Sequence, residues 1–390
     1  MNRYERYIHL AADVLKSYNG TEPFHSFIKK YFSVNNRLGS RDRKQITHCC
    51  YSYFRTGYLL EAFQLPEKIA ASVFLCSHSD NIILEHLFPE WNKCIDLPIE
   101  EKCDLVGINW DPSLIFSWQH MLGNLTDNTL FIKSHLIQPD LFIRIRNHLH
   151  SLIVSKLDKA ELDYEVIDKD TISLPNSTKI TDVLKINKEA VIQDYCSQRI
   201  AELFKYLPYS SSDTFSCWDC CAASGGKSIL IKDLFPLAAL TVTDKRASIL
   251  ENLKRRFKEA GINYDQLLSC DLSTDKPSSI LQNSMDVIIA DVPCTGSGTW
   301  SRTPEWLHFF REDQLTQYTQ LQFRIIENIS YALKRGGHLI YCTCSVFKHE
   351  NESQIDAISK AFGLEIIKSA YFEGYQSRAD TLFGAILKKN

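Results

Sequence analysis

Phe215-Ser216-Cys217-Trp218-Asp219-Cys220-Cys221-Ala222-Ala223-Ser224-Gly225-Gly226-Lys227-Ser228 is the stretch that decides the fold. Phe215 to Asp219 predicts a buried strand, the residues to Gly226 a glycine turn, and Ile229, Leu230 and Leu234 the core face of a helix. The same alternation continues downstream. Leu240 to Asp244 predicts a second strand, Ile249 to Ala260 a helix ending at Gly261, and Leu267-Leu268 a short third strand before Asp271. Val287-Ile288-Ile289-Ala290 runs up to Asp291. Leu315, Tyr318, Leu321, Ile325, Ile329 and Leu333 then line one face of a long helix from about 312 to 333, with Gly336-Gly337 as its stop. His338-Leu339-Ile340-Tyr341 is one more apolar run. Strands alternating with helices in this order predict an α/β domain with a Rossmann-like, mainly parallel, doubly wound sheet.

Ligands of such sheets lie beyond the carboxyl ends of the strands, so the residues closing each apolar run carry the chemistry. Ala222 to Gly226 matches neither GxGxxG nor a Walker A loop, yet a glycine turn before a helix lets backbone approach a cofactor. Asp244 ends the second strand, where a carboxylate accepts both ribose hydroxyls of a nucleoside, and Asp271 follows the third. Each alone reads as a cap or a surface residue; together they favour a nucleoside cofactor. Two thiols follow the remaining strands, Cys294 in Asp291-Val292-Pro293-Cys294 and Cys344 in Cys342-Thr343-Cys344-Ser345. A free Cys is most often a small buried hydrophobe. Their shared position after strands points instead to covalent chemistry, with one thiolate attacking and a second helping to undo the adduct.

The chain outside this half is different. Residues 1–135 read as helical, with Tyr7, Leu10, Ala11, Val14 and Leu15 at helix spacing and Ser40 as the expected N-cap of a helix running past Ile46. The pattern changes near Gln138-Pro139-Asp140, and Leu141 to Arg146 has strand character. The expected partition is therefore an all-α domain at 1–135, a small α+β connecting domain at 136–190 and the Rossmann-like domain at 191–390. A net charge of -3 gives no global signal for nucleic acid, so only local clusters such as Arg41 with Arg43 and Arg144 with Arg146 could serve it. The 13 cysteines are odd in number and irregular in spacing; Cys217 and Cys220 form a CxxC with no second half. That excludes a disulfide framework and a zinc ribbon, and no metal is expected. There is no secretory pattern at the start and no apolar run long enough to span a bilayer, so the expectation is a cytoplasmic protein, a monomer with no membrane partner.

Taken in order, Cys221-Ala222-Ala223-Ser224-Gly225-Gly226-Lys227, Asp291-Val292-Pro293-Cys294-Thr295-Gly296-Ser297-Gly298 and Thr343-Cys344-Ser345 resemble the Sun/Fmu (RsmB-type) RNA 5-methylcytosine methyltransferases. Arg302 with Pro304-Glu305, Glu350-Asn351-Glu352, and Val191-Ile192-Gln193-Asp194 with Ser197-Gln198 extend the likeness. Leu38 to Arg55 is similar to part of the NusB-like helical domain that RsmB-type members carry. The likeness covers roughly 190–390 in its specific motifs and 1–135 only in outline.

The resemblance implies S-adenosylmethionine as methyl donor and C5 of a cytosine in RNA as acceptor, with small-subunit (16S) rRNA expected from the NusB-like region. It makes Cys344 the nucleophile at C6, Cys294 the thiol that assists release, and Asp291 the residue that orients the base. Residues 221–227, namely Cys221, Ala222, Ala223, Ser224, Gly225, Gly226 and Lys227, would hold the cofactor together with Asp244, Asp271 and Asp291. Arg302, Lys227, Arg41, Arg43 and Arg144 would meet RNA. The sequence departs from the family where Ser224 replaces a Pro, Ser301 an Arg and Lys188 a Gly, and where Ala379 to Ala385 gives an altered terminal strand. These departures bear on target choice. The alternatives are a relative acting on tRNA or large-subunit rRNA, a protein or small-molecule methyltransferase of the same fold, and a catalytically idle RNA-binding or ribosome-assembly module. An Asn/Asp-Pro-Pro-Tyr/Phe motif would favour amino-group methylation; Asp291-Val292-Pro293-Cys294 stands in its place.

Overall fold

A short polar side chain sets the first helix: the Asn2 carboxamide accepts the N–H groups of Tyr4 and Glu5, and the Glu5 carboxylate takes the Asn2 N–H at 2.8 Å. The computed structural model describes residues 2–35, 37–146 and 148–390. Its contacts divide the chain into two compact units. Unit 1 is Met1–His120, Thr126–Gln138 and Thr299–Arg311; unit 2 is Met121–Leu125, Pro139–Gly298 and Glu312–Asn390. No helix among the described residues is long and apolar enough to cross a membrane.

Unit 1 is helical, built on α1 (Arg3–Ser17), α2 (Phe24–Val34), α3 (Ser40–Arg55) and α4 (Leu65–Cys76) with shorter helices after them. α1 buries Tyr7, Ile8, Ala11, Ala12 and Val14, and α3 packs on both α1 and α4. Ser40 is not the cap of α3. Gly39 is, because the Asp42 carboxylate reaches back to the Gly39 N–H and the helix starts one residue earlier. The segment 299–311 supplies Trp300 and Phe310, whose rings pack with Phe116 and Trp118. Arg55, buried at the end of α3, donates to the carbonyls of His135, Ile137 and Ser301 at 2.8 to 3.0 Å. A linear partition of the chain misses this excursion, because rings and carbonyls distant in sequence complete one core.

Unit 2 holds two sheets. The smaller is antiparallel, in the order β2-β3-β1-β4, from β1 (Leu141–Ile145), β2 (Glu165–Val166), β3 (Thr171–Leu174) and β4 (Ala190–Ile192). With α5 (His150–Lys159) it encloses a core of Ile143, Ile145, Ile153, Leu157, Ile172 and Leu174. The larger sheet comprises β5 (Ser216–Asp219), β6 (Ala239–Asp244), β7 (Gln266–Ser269), β8 (Met285–Asp291), β9 (Leu333–Thr343), β10 (Leu364–Glu373) and β11 (Thr381–Lys389). Its order is β10-β11-β9-β8-β5-β6-β7.

β7, β6, β5, β8 and β9 run parallel, and β11 and β10 are antiparallel additions at one edge. α6 (Gly226–Leu234), α7 (Ala247–Ala260), α8 (Glu312–Ser330) and α9 (Glu352–Phe362) belong to two apolar layers. Ile229, Leu253 and Phe257 fall in one; Ile325, Ile329 and Ile358 fall in the other. This is the expected Rossmann-like, doubly wound arrangement. The expected helix stop at Gly336-Gly337 is corrected: α8 ends at Ser330, and both glycines lie in β9, with Gly336 at φ 75°. Leu333 already pairs with Met285, so the chain is in the sheet before the glycines arrive.

Candidate active site

Strand order reverses at β5, which lies between β6 and β8, and the side chains at the carboxyl ends of these strands meet there. A cavity of about 360 Å³ opens at this point, its wall including Asp244, Arg246, Asp271, Asp291, Cys294 and Cys344. The strands terminate here because each apolar run closes on a carboxylate or a thiol.

The two thiols close one side. Cys294 Sγ and Cys344 Sγ are 3.3 Å apart, both partly exposed. Three bonds lace their loops together: Val292 N–H to the Cys342 carbonyl, Gly298 N–H to the Cys344 carbonyl, and Val346 N–H to Ser297 Oγ. A Cβ at Gly298 would lie 1.9 Å from the Thr381 carbonyl oxygen, so only glycine permits this approach. The hydrogen bond with Cys344, reinforced by burial and by the nearby Glu350 carboxylate, pushes the Cys294 thiol well above its ordinary pKa. At this separation either sulfur can donate the hydrogen bond that joins the pair.

Beside them Lys227 Nζ meets Asp291 Oδ2 at 2.6 Å. Burial alone would lower the lysine's pKa, but the charge and hydrogen bond of Asp291 outweigh it and the net direction is up. Behind this pair Asp219 is fully enclosed, with Ser228 Oγ donating to Oδ2 at 2.5 Å and Oδ1 without a partner. Burial raises its pKa to about 7. On the far side Asp244 Oδ2 accepts the Ala223 N–H at 3.0 Å and Oδ1 accepts the Arg246 N–H at 2.9 Å. Burial opposes its ionisation, yet these donors with the Arg246 guanidinium hold it below the usual carboxylate range. Asp271 accepts from Ser273 N–H and Oγ, which also lower its pKa. Two ionised carboxylates above an apolar wall of Leu272, Leu321 and Ile325 suit a nucleoside, with ribose at the acids and base against the wall.

Of the glycine loop, Cys221 and Ala223 line this cavity, whereas Ala222, Ser224, Gly225, Gly226 and Lys227 lie outside its lining. Gly225 serves packing: it sits at φ +80, and a Cβ there would fall 2.3 Å from Leu253 Cδ1. Ala223 takes φ 45°, a left-handed position that strains a non-glycine residue. Arg246 was missed by the sequence reading, although its place two residues beyond Asp244 was the available signal. Cys217 and Cys220 are core thiols, as their CxxC without a second half implied.

The residues expected to meet RNA scatter. Arg144 is corrected to an internal role: it is buried in unit 2, its Nε on Gln193 and its Nη1 on Asp233 at 2.6 Å. Arg146 shares Asp233, so the two cations form one buried ion-pair cluster. Arg41 is exposed on α3 of unit 1, while Arg43 is half-buried, bonded to the Leu38 carbonyl and stacked over Phe32. Arg302 lies partly buried in unit 1 and Lys227 is tied to Asp291 in unit 2.

Residues 207–380 match the family model described as 16S rRNA methyltransferase RsmB/F. Among curated relatives, ribosomal RNA small subunit methyltransferase B of Xanthomonas campestris is 30% identical over 166 residues, 43% of this chain and 37% of the relative. The protein of the same name from Photorhabdus laumondii is 29% identical over 233 residues, 57% of this chain and 52% of the relative. The chain thus matches about half, or less, of these relatives' length. Among solved structures, PH0851 superposes with a TM-score of 0.68 at 18% identity, covering 100% of this chain and 99% of that one. NSun6 from Pyrococcus horikoshii, solved with SFG, superposes with a TM-score of 0.57 at 15% identity over 70% of this chain and 96% of that one. At such identity these two speak for the fold alone. The strand order, the paired thiols and the family match agree, and the domain spanning residues 207–380 belongs to the RsmB/F methyltransferase family.

Proposed function

We propose that this protein transfers a methyl group from S-adenosylmethionine to C5 of a cytosine in RNA, through a covalent bond between Cys344 and C6 of the base. The observation that carries the reading is the pair of sulfurs 3.3 Å apart beyond the ends of neighbouring parallel strands, beside the Lys227–Asp291 pair. C5 of cytosine is a poor nucleophile, which is why a thiolate is needed. Cys344 Sγ adds to C6, and the electron pair released onto the ring makes C5 nucleophilic. The cofactor supplies an electrophilic methyl on a sulfonium. After transfer C5 carries both the methyl and its proton; a base removes the proton, the ring double bond re-forms and the C6–S bond breaks, returning Cys344 as thiolate. Cys294, its sulfur 3.3 Å from that of Cys344, is placed to assist this release. Asp291 orients the base and Lys227 holds that carboxylate in place. Asp244 and Asp271 hold the nucleoside of the cofactor, and Cys221 and Ala223 bring the glycine loop against it.

Small-subunit rRNA in the cytoplasm is the proposed substrate, supported by the family model and by the names of the curated relatives. Bisulfite sequencing of total RNA from cells with and without the gene tests it. One small-subunit cytosine losing its mark supports the whole reading. A loss confined to tRNA or large-subunit rRNA keeps the chemistry and overturns the target. No change anywhere overturns the reading in favour of a binding module.

A further inference from the structure

Two neighbouring residues behind the thiols, in a motif to which the chemistry above gives no task, bond one to each thiol loop. The Glu350 side chain is buried and faces the Cys294 loop: Oε1 accepts the Thr295 N–H at 2.9 Å and Oε2 accepts Thr295 Oγ1 at 2.5 Å. Gln322 of α8 completes the grip, donating through Nε2 both to Glu350 Oε1 at 2.9 Å and to the Pro293 carbonyl at 3.0 Å. The residues before and after Cys294 are thus both fixed. Asn351 does the same for Cys344. Its Oδ1 accepts Thr343 Oγ1 at 2.5 Å, and its Nδ2 donates to the Ser345 carbonyl at 2.8 Å and to the Tyr371 hydroxyl at 2.9 Å. A hydroxyl row of Thr295, Ser345 and Ser297, 3.0 to 3.3 Å apart, links the two grips. Burial raises the Glu350 carboxyl's pKa, against the opposing pull of the Ser345, Thr295 and Gln322 donors. The Tyr341 hydroxyl fixes the Glu350 carbonyl at 2.7 Å.

We propose that Glu350 and Asn351 are the positioning residues of the two thiols, one clamping the Cys294 loop and the other the Cys344 loop so that the sulfurs stay paired. The catalytic part of this rests on the thiol chemistry proposed above; the geometric part does not. Neither side chain lines the cofactor cavity, so the clamp acts on the sulfurs and not on cofactor affinity.

Phenylarsine oxide reads the pairing directly, because one arsenic condenses with two neighbouring thiols and releases one water. The full-length protein and its Glu350→Ala, Glu350→Gln and Asn351→Ala variants are treated with one equivalent of the arsenical, then alkylated, and the alkylated cysteines are mapped by mass. Thermal melting confirms that each variant is folded. In the unaltered protein Cys294 and Cys344 are protected together. Glu350→Ala and Asn351→Ala lose that joint protection, and Glu350→Gln, which keeps an acceptor for the Thr295 N–H, retains it. With RNA substrate the two alanine variants lose about a hundredfold in kcat, at an unchanged KM for S-adenosylmethionine. Folded alanine variants that protect both thiols, or an unaltered protein that does not, overturn the clamp. Joint protection in a protein that methylates no RNA overturns the proposed function and leaves the clamp standing.

Discussion

At the scale of single residues, the two sulfurs are not interchangeable. The hydrogen bond to Cys344 and burial both oppose ionisation of Cys294, in keeping with its proposed role in release rather than attack. Cys344→Ser is expected to abolish methyl transfer to RNA, measured with labelled S-adenosylmethionine, since a serine hydroxyl ionises far less readily than a thiol and is a much weaker nucleophile. Cys294→Ala is expected to add to the base and stall. The assay is a denaturing gel, on which protein and RNA migrate together as a slow band. Retained turnover in Cys344→Ser, or a stalled band from that variant instead, would reverse the roles. Asp244 and Asp291 at the ends of β6 and β8, and Asp271 just past β7, were legible as residues because each closes an apolar run; Asp219 at the end of β5 was not singled out. The pairing of Lys227 with Asp291 was not legible, since nothing local to either announces a partner on another element. Arg144 shows the same limit. Two arginines flanking Ile145 resemble a solvated face, and only the fold brings Asp233 between them.

At the scale of elements, the turn between β5 and α6 holds two left-handed residues, Ala223 and Gly225, and its shape depends on contact with α7. Gly225→Ala combines a residue at φ +80 with a Cβ pressed onto Leu253 and Phe257. Its expected cost is about 3 kcal/mol, from a left-handed residue and an overpacked core together. Gly261→Ala is the matched control: its φ is +65 with nothing within 4 Å of the new Cβ, so only the conformational part, about 1 kcal/mol, remains. Urea unfolding of both variants checks the difference, and equal midpoints would contradict the packing of α7 against the loop. The order of strands and helices was readable because apolar periodicity is a local property. Gly336-Gly337 misled because glycines signal a break without saying what breaks; here they fall within β9 beside a shift in its register with β8.

At the scale of the whole molecule, the two units carry different ionisation. Unit 1 encloses His135 and His308, each with Nε2 buried and without a partner, and burial lowers both pKa values to about 4. A depressed histidine pKa contributes stability that is present above the unfolded value near 6.5 and is lost as pH falls through the folded one. The full loss is about 3 kcal/mol apiece. Unit 2 encloses Asp219, whose raised pKa has the opposite sense: its contribution is present below the unfolded value and is lost as pH rises through about 7. Hydrogen exchange followed by segment from pH 7 to pH 4.5 should show unit 1 losing protection first, and simultaneous loss in both units would refute this. The helical half was legible as helical, but the membership of 299–311 was not, because Trp300 and Phe310 would suit any core. That excursion also orders events during synthesis. The helices leave the ribosome first, yet the rings of Trp300 and Phe310 and the carbonyl awaited by Arg55 follow only after strand β8 and the Cys294 loop have been made. At typical elongation rates that delay is about ten to thirty seconds. Through that interval the nascent N-terminal region exposes an unfinished apolar surface, an opening for chaperones that no detachable leading domain would offer.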